Sequence, residues 1–427
     1  MKKISIIFLP ILLIYLFVFL IKNDVPAGDG IRYAKFAENI VNGFFADKDF
    51  SRGFLWNGPG YPAVLSIFLI FGIPLKFASI LNGLLLYFSS IILFRILQSF
   101  NNRFYFNLIL AYFPFTFFPE LIIYSNNIYT EPLVIFLLTL CFFILFKNKN
   151  SIYSIITLTL LSAFLIYIKL FLFYVLLVFS LALLLFKPDK KFILKYTLIT
   201  LGLFSPYLIY TYSITDKLFY LSDSSSNVLY WTTNPNYIEL GQWAEGNSEN
   251  FRSTIKNKYS NLDSNLILKV DSILFESRYK NHKSVLDTIK TLNGLESDLY
   301  LKKISYRNIK ENPTSFLRNI FFNFTRLFVG TPYYLYFKPP YTPTLNVINI
   351  IKNSFLLSCF IISILVYIFN FKKINNRKID TVLIFIIIYI IGIILVSNQS
   401  QRHLLPILPA ITIIIGYIFS KIKFKIN

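Results

Sequence analysis

Four separate loops hold acids and cations of the kinds that move protons and bind phosphates. Gly28-Asp29-Gly30-Ile31-Arg32-Tyr33 follows the first apolar run, and Trp56-Asn57-Gly58-Pro59-Gly60-Tyr61-Pro62 comes shortly after it. Glu120 and then Tyr129-Thr130-Glu131-Pro132 stand before a later apolar run, and Lys169 is a lone cation in an otherwise apolar stretch. Ser397-Asn398-Gln399-Ser400-Gln401-Arg402-His403 precedes Leu404-Leu405-Pro406-Ile407-Leu408-Pro409. A carboxylate such as Asp29 can take the proton of a hydroxyl as that hydroxyl attacks. Lys169 and Arg402 can hold an anionic lipid headgroup and offset charge on it. Ionisable groups at membrane depth are costly, which makes each a functional candidate. Together they suit transfer from a lipid phosphate carrier.

Each residue also has a plainer reading. Asp29 between two glycines suits a turn after a helix. Glu131 before Pro132 suits a helix start, where an acid complements the dipole. Lys169 and Arg402 can snorkel to headgroups, and His403 can be an ordinary interfacial histidine. Arg32 and Arg52 read as solvated loop charges. The two sets of readings part on whether the intervening elements bring the segments together.

Those elements are membrane helices. Hydrophobic residues make up 55% of the chain and charged ones 15%, far from a soluble domain. Apolar runs recur along the chain, several of them near the 20 or so residues that cross a core of about 30 Å. Lipid offers the backbone no hydrogen bonds, and the runs lack period-2 alternation, so helices are expected and a barrel is not. The net charge of +21 sits in short clusters between the runs. That is the positive-inside pattern, and it excludes any need for a nucleic-acid partner. Cys141 and Cys359 lie inside apolar runs, and no disulfide framework or zinc ligand set is present.

With the amino terminus inside, the first span is 4–21, read as an uncleaved anchor in preference to a signal peptide cut near Val25-Pro26-Ala27. The first outer loop is 22–60. Spans follow at 77–97, 104–119, 131–147, 151–168, 170–186, 192–214, 351–370, 380–397 and 404–420, about ten in all. Arg95, Arg103, Lys147, Lys149, Lys187, Lys190, Lys191, Lys195, Lys372, Lys373, Arg377, Lys378, Lys421, Lys423 and Lys425 all then lie inside. Segments 61–74 and 316–330 are short for a span and are expected as juxtamembrane helices. The expected fold is therefore an all-α polytopic bundle. It comprises a transmembrane region 1–214, a small, mostly helical extracytoplasmic domain 215–316, and a juxtamembrane and transmembrane region 317–427. No internal repeat is visible, which gives an inverted-repeat transporter no support.

The ordered set of segments resembles the GT-C class of membrane glycosyltransferases, in particular the protein-mannosyltransferase and aminoarabinose-transferase-like group. Asp29 to Tyr33 is similar to an acid-x-x-x-Tyr pattern after helix 1, and Thr130-Glu131-Pro132 to a second acid opening a later helix. Gly58-Pro59-Gly60-Tyr61-Pro62, Lys169 in its hairpin, Asn234-Pro235, Glu311-Asn312-Pro313 and Arg402-His403-x-x-Pro-x-x-Pro follow in matching order. Gly30 stands where many relatives have a second acid, and Asn57-Gly58 where many have a lysine.

The resemblance implies transfer of a sugar, with inversion, from a polyprenyl-phosphate carrier to an acceptor hydroxyl of a glycan, lipid or protein. The site would face the periplasm or outside of a cell inner (plasma) membrane. It makes Asp29 the catalytic base and Tyr33, Glu131, Lys169, Arg402 and His403 substrate-binding residues, with the lipid phosphate on Lys169 and Arg402. Glu131 would orient the sugar or help hold a divalent cation. Two other classes stay open. One is an O-antigen-polymerase-like enzyme leaning on Arg252, Arg278, Arg307 and Arg318. The other is a flippase or transporter of a lipid-linked solute, which would want ionisable groups at mid-membrane.

Overall fold

The structure, a computed structural model of the 427-residue chain, describes residues 2–21, 29–147, 151–186, 189–236, 239–241, 277–328, 343–370, 374, 376–396 and 401–421. The Val25–Ala27 cleavage candidate, Gly28, residues 397–400, Arg252, Lys149, Lys187, Lys372, Lys373, Lys423 and Lys425 lie outside the described residues. So do the side chain of Arg278 and the 242–276 part of the expected outer domain.

Among the described residues every regular element is a helix. The helices are α1 (Lys2–Ile21), α2 (Asp29–Val41), α3 (Gly60–Ile70), α4 (Ala78–Gln98), α5 (Phe104–Thr116) and α6 (Pro119–Ser125). Next come α7 (Glu131–Lys147), α8 (Ile152–Ile168), α9 (Leu172–Phe186), α10 (Lys190–Thr215), α11 (Ser224–Thr233) and α12 (Ser277–Thr291). The last are α13 (Gly294–Glu311), α14 (Pro313–Phe328), α15 (Pro343–Phe369), α16 (Arg377–Val396) and α17 (Leu408–Lys421).

Among the described residues, five helical stretches are long and apolar enough to cross a membrane, namely Ile4–Ile21, Leu75–Gln98, Lys190–Thr215, Ile350–Phe369 and Arg377–Leu395. They mark the chain as a membrane protein. Phe104–Thr116, Ile152–Ile168, Leu172–Phe186 and Leu405–Lys421 are apolar but shorter. Proline accounts for some of the shortening. The apolar run that begins at Phe104 stops at Thr116, because the residue before Pro119 is pushed out of the helical region and α6 starts afresh there. The last run is divided into a 3-10 turn, Leu405–Ile407, and α17 around Pro406 and Pro409.

Tyrosines fasten helix to helix through backbone carbonyls of neighbouring helices. Tyr15 on α1 donates to the Phe115 carbonyl at 2.8 Å, and Tyr87 on α4 donates back to Ser5 at 2.9 Å. At the lysine-rich end, Lys378 donates to the Phe146 carbonyl at 2.8 Å and Tyr417 to Ile374 at 2.7 Å. Glu131 and Lys147 sit at opposite ends of α7, roughly 25 Å apart at 1.5 Å per residue. The acidic start of α7 is thus one end of the bundle and the basic cluster is the other.

A second, smaller core forms where α11, α12 and α13 meet, from Tyr230, Trp231, Ile289, Leu301 and Ile304. Asn319 on α14 joins it to the rest. Its buried amide donates to the Thr232 and Asn234 carbonyls at 2.9 and 2.8 Å, which ties off the end of α11.

The segment 58–60 passes so close to α8 that only glycine fits. A Cβ on Gly58 would fall 2.1 Å from the Tyr167 carbonyl oxygen, and one on Gly60 2.8 Å from the Ile168 nitrogen. Both obstacles are backbone and cannot swing away. This contact fixes the end of α8, whose cap is Lys169. Gly60→Ala is expected to destabilise the purified protein by at least about 2 kcal/mol. Gly202→Ala, where a Cβ meets nothing within 4 Å, should leave the melting temperature in detergent unchanged or raised.

Candidate active site

Asp29 opens α2, where a carboxylate complements the positive end of the helix. It is therefore a first-turn helix residue. The helix is held by the face that carries Tyr33, Phe36 and Ala37, all buried, with Tyr33 edge-on to Tyr61 of α3 at 5.2 Å. One turn on from Asp29, Arg32 reaches back to its Oδ1 and stacks on Trp56 at 4.7 Å.

Glu131 opens α7 with Pro132 behind it and is fully buried. A capping carboxylate would lie in water, but this one is the centre of a charge cluster. Arg402 approaches it two-pronged, Nε to Oε1 at 2.6 Å and an Nη to Oε2 at 3.3 Å. Lys169 donates to the same Oε1 at 2.9 Å. The other Nη of Arg402 bonds Asp29 Oδ2, so a single guanidinium bridges both acids. Its flat face lies over Tyr129 at 4.5 Å and Tyr124 at 5.5 Å.

The rest of the fold aims these groups. Asn82 of α4, fully buried, donates to the Ser125 and Asn127 carbonyls at 3.1 Å each and so holds the turn that presents Tyr124, Tyr129 and Glu131. Tyr389 of α16 donates to the His403 carbonyl at 3.1 Å and steadies the 3-10 turn (Gln401–His403) under Arg402. The Tyr33 hydroxyl accepts from Asn57 at 3.3 Å.

Of the residues read from the sequence, Asp29, Glu131, Lys169 and Arg402 meet directly. Tyr33 and His403 are close enough to feel their charges. Arg32, read as a loop charge, belongs to the cluster, and its place at i+3 from Asp29 on an amphipathic helix was the available signal. Glu120 belongs to a separate pair with Lys352 at 3.0 Å. Arg52 bonds Asn227 at 2.8 Å, and Arg318 bonds the Asn236 carbonyl at 3.2 Å.

Exposure is graded across the cluster. The Glu131 side chain is 1% exposed, Arg402 10%, Lys169 13%, Asp29 22% and Arg32 40%, so the open edge lies at Asp29 and Arg32. Three cations face two carboxylates, which leaves one formal positive charge for an arriving anion. Burial works to raise the Asp29 carboxyl, but Arg402 and Arg32 outweigh it and hold it well below the usual carboxylate range. Burial, with Lys169 and Arg402 beside it, pushes His403 down to about 3, so its imidazole is neutral.

A divalent cation does not fit at Glu131. Both of its oxygens are already taken by Arg402 and Lys169, and among the described residues no three His, Cys, Asp or Glu side chains group as metal ligands.

Removing one partner from a buried ion cluster leaves the others uncompensated. Arg402→Ala is expected to cost roughly 3–5 kcal/mol. Adding Glu131→Gln to it should restore part of the lost stability, a coupling read from melting temperatures of the two single variants and the double. The sign for Asp29 follows from its lowered pKa. Its contribution is full above the ordinary carboxylate value near 4 and is lost as pH falls further. A stability profile between about pH 2 and 5 should slope for wild type and flatten for Asp29→Asn.

No protein-family model matches the chain, and no curated protein matches it either.

Proposed function

We propose that this chain is a multi-pass membrane glycosyltransferase that moves a sugar from a polyprenyl-phosphate carrier to an acceptor hydroxyl, with inversion. One observation carries the reading. Asp29 is a partly exposed carboxylate kept ionised at the open edge of a cluster with surplus positive charge. A base for a hydroxyl and cations for a phosphate thus stand side by side.

In this reading the acceptor oxygen attacks the anomeric carbon from the face opposite the phosphate. Its proton passes to Asp29, the new C–O bond forms, and the bond to the phosphate oxygen breaks with its electron pair. Asp29 is a weak base in its resting setting. That suffices, because the hydroxyl becomes acidic only as the new bond forms. Arg402 and Lys169 stabilise charge on the departing phosphate, and Arg32 joins them from the open edge, where its Nε is buried without a partner. Tyr33 and neutral His403 flank the sugar, and Glu131 positions Arg402 and Lys169.

The site faces the periplasm or outside of a cell inner (plasma) membrane. Lys147, Lys190, Lys191, Lys195, Arg377, Lys378 and Lys421 stand at helix ends away from Asp29, and the positive-inside rule puts such ends in the cytoplasm. In this reading the α11–α13 unit belongs to an extracytoplasmic domain that selects the acceptor.

The test is release of free polyprenyl phosphate from a panel of polyprenyl-phosphate sugars by the purified protein. Asp29→Asn keeps the size of the side chain and should lower the rate by about 10²–10⁴ while the lipid still binds. Full activity in that variant sinks the role of Asp29. Net movement of the lipid by wild type across a bilayer, with no bond broken, replaces this reading with a transporter.

A further inference from the structure

Away from the charge cluster, the loop 42–59 docks onto the α11–α13 unit through a second set of acids. Asp223 accepts from the Gly53 backbone N–H at 2.7 Å through Oδ2, and its own N–H donates to the Leu55 carbonyl at 3.4 Å. Asp298 of α13 accepts from Lys302 at 2.7 Å through Oδ2. Gly294, at the start of α13, donates to the Phe50 carbonyl at 2.7 Å. Asp223 and Asp298 are 3% and 1% exposed, and Tyr220 beside them is 5% exposed. The remaining Asp223 oxygen, Oδ1, is buried with no partner.

Unpaired buried oxygens of this kind cost about 1–3 kcal/mol each, more when charged. An ionised Asp223 therefore buries a charged oxygen that no donor meets. One added proton removes the deficit. We propose that Asp223 holds a proton when loop 42–59 is docked, and that loss of this proton loosens the loop from α11 and α13. The inference stands whether or not the chain transfers sugars.

Among the described residues, the charged groups around Asp223 are consistent with this. Arg52 from the loop is bonded to Asn227, and Lys302 is committed to Asp298. Tyr207 of α10 donates to the Leu221 carbonyl, and Tyr220 lies under Lys302 at 5.2 Å. Burial is the main influence on the Asp223 carboxyl. With the Asp298 charge added, it outweighs the Gly53 N–H and Arg52 and pushes the group up to about 7. A group raised in the docked state binds its proton there more tightly than in the open state. Docking is therefore full below the ordinary carboxylate value near 4, weakens about tenfold per pH unit up to about 7, and is level above that.

The experiment is hydrogen exchange of the intact protein in detergent, read at the Gly53 and Gly294 amides and corrected for intrinsic pH dependence. Wild type should lose about tenfold in protection for each unit between pH 5 and 7 and none between 7.5 and 8.5. Asp223→Asn, whose amide donates as the neutral acid does, should stay protected throughout. Asp298→Asn removes the neighbouring charge and should move the slope to lower pH. Wild-type protection that does not change with pH overturns the proposal, and so does an unchanged slope in either variant that folds.

Discussion

A carboxylate with almost no contact with water can persist only if cations come to it, and Glu131 is such a group. Its partners lie far off in the chain. Lys169 is 38 positions away and Arg402 is 271, and Arg402 also bridges to Asp29, 373 positions from itself. An ion of this size loses several kcal/mol or more on burial, so no one of these segments can settle at the centre of the bundle without the others. The cluster adds little to net stability for the same reason, since its attraction is spent against desolvation. What it supplies is specificity: α2, α7, the α8–α9 turn and the segment before α17 must all arrive together. The first and last thirds of the chain are thereby joined at one point.

Uncharged groups do the supporting work. In an apolar bundle the orphaned carbonyls of helix ends have no water to turn to, so buried amides take them up. Asn82 closes the turn before α7, Asn319 the end of α11, and Asn323 of α14 donates to the Ile394 carbonyl of α16 at 2.9 Å. Glycine supplies the other requirement, close approach. Gly58 and Gly60 let the backbone run against the end of α8, while Gly294 sits where a Cβ would meet Phe54 at 2.6 Å and the Ser51 carbonyl at 2.8 Å. The loop 42–59 is therefore gripped at two points, at Gly58 by α8 near the charge cluster and at 50–54 by α13 near Asp223.

The helical character and the apolar helices were legible from sequence, because lipid leaves the backbone only helices or a closed barrel and the runs lack the alternation of a barrel. Asp29, Glu131, Lys169 and Arg402 were legible as a set because charges stand out against apolar runs. Their partners were not. Which acid faces which cation depends on helix rotation and crossing, and mean hydropathy carries neither. Arg32 and Arg52 look alike in sequence, yet one sits over Trp56 beside Asp29 and the other on Asn227. Asn82 and Asn319 pass unnoticed for a similar reason, since an amide in an apolar run shows its use only when the carbonyl it serves is in place. Helix ends differed where proline intervened. The break before Pro119 and the 3-10 turn at Pro406 divide runs that hydropathy reads as continuous.

Holding Asp29 ionised and making it a good base are opposing demands. Arg402 and Arg32 keep the proton off, and the same attraction lowers the affinity for the proton that Asp29 would take as a base. On the glycosyltransfer reading the conflict resolves when the donor arrives. A phosphate at the open edge competes for the same guanidinium groups and adds its own negative charge near Asp29. Both effects raise the proton affinity of the carboxylate, by the rules that lowered it in the empty site. The base is then weak when no donor is present and stronger when one is, and water gains little from attacking first. Glu131 keeps this response local: it holds Arg402 and Lys169 from behind, so that an anion can draw on their charge without pulling either side chain out of place.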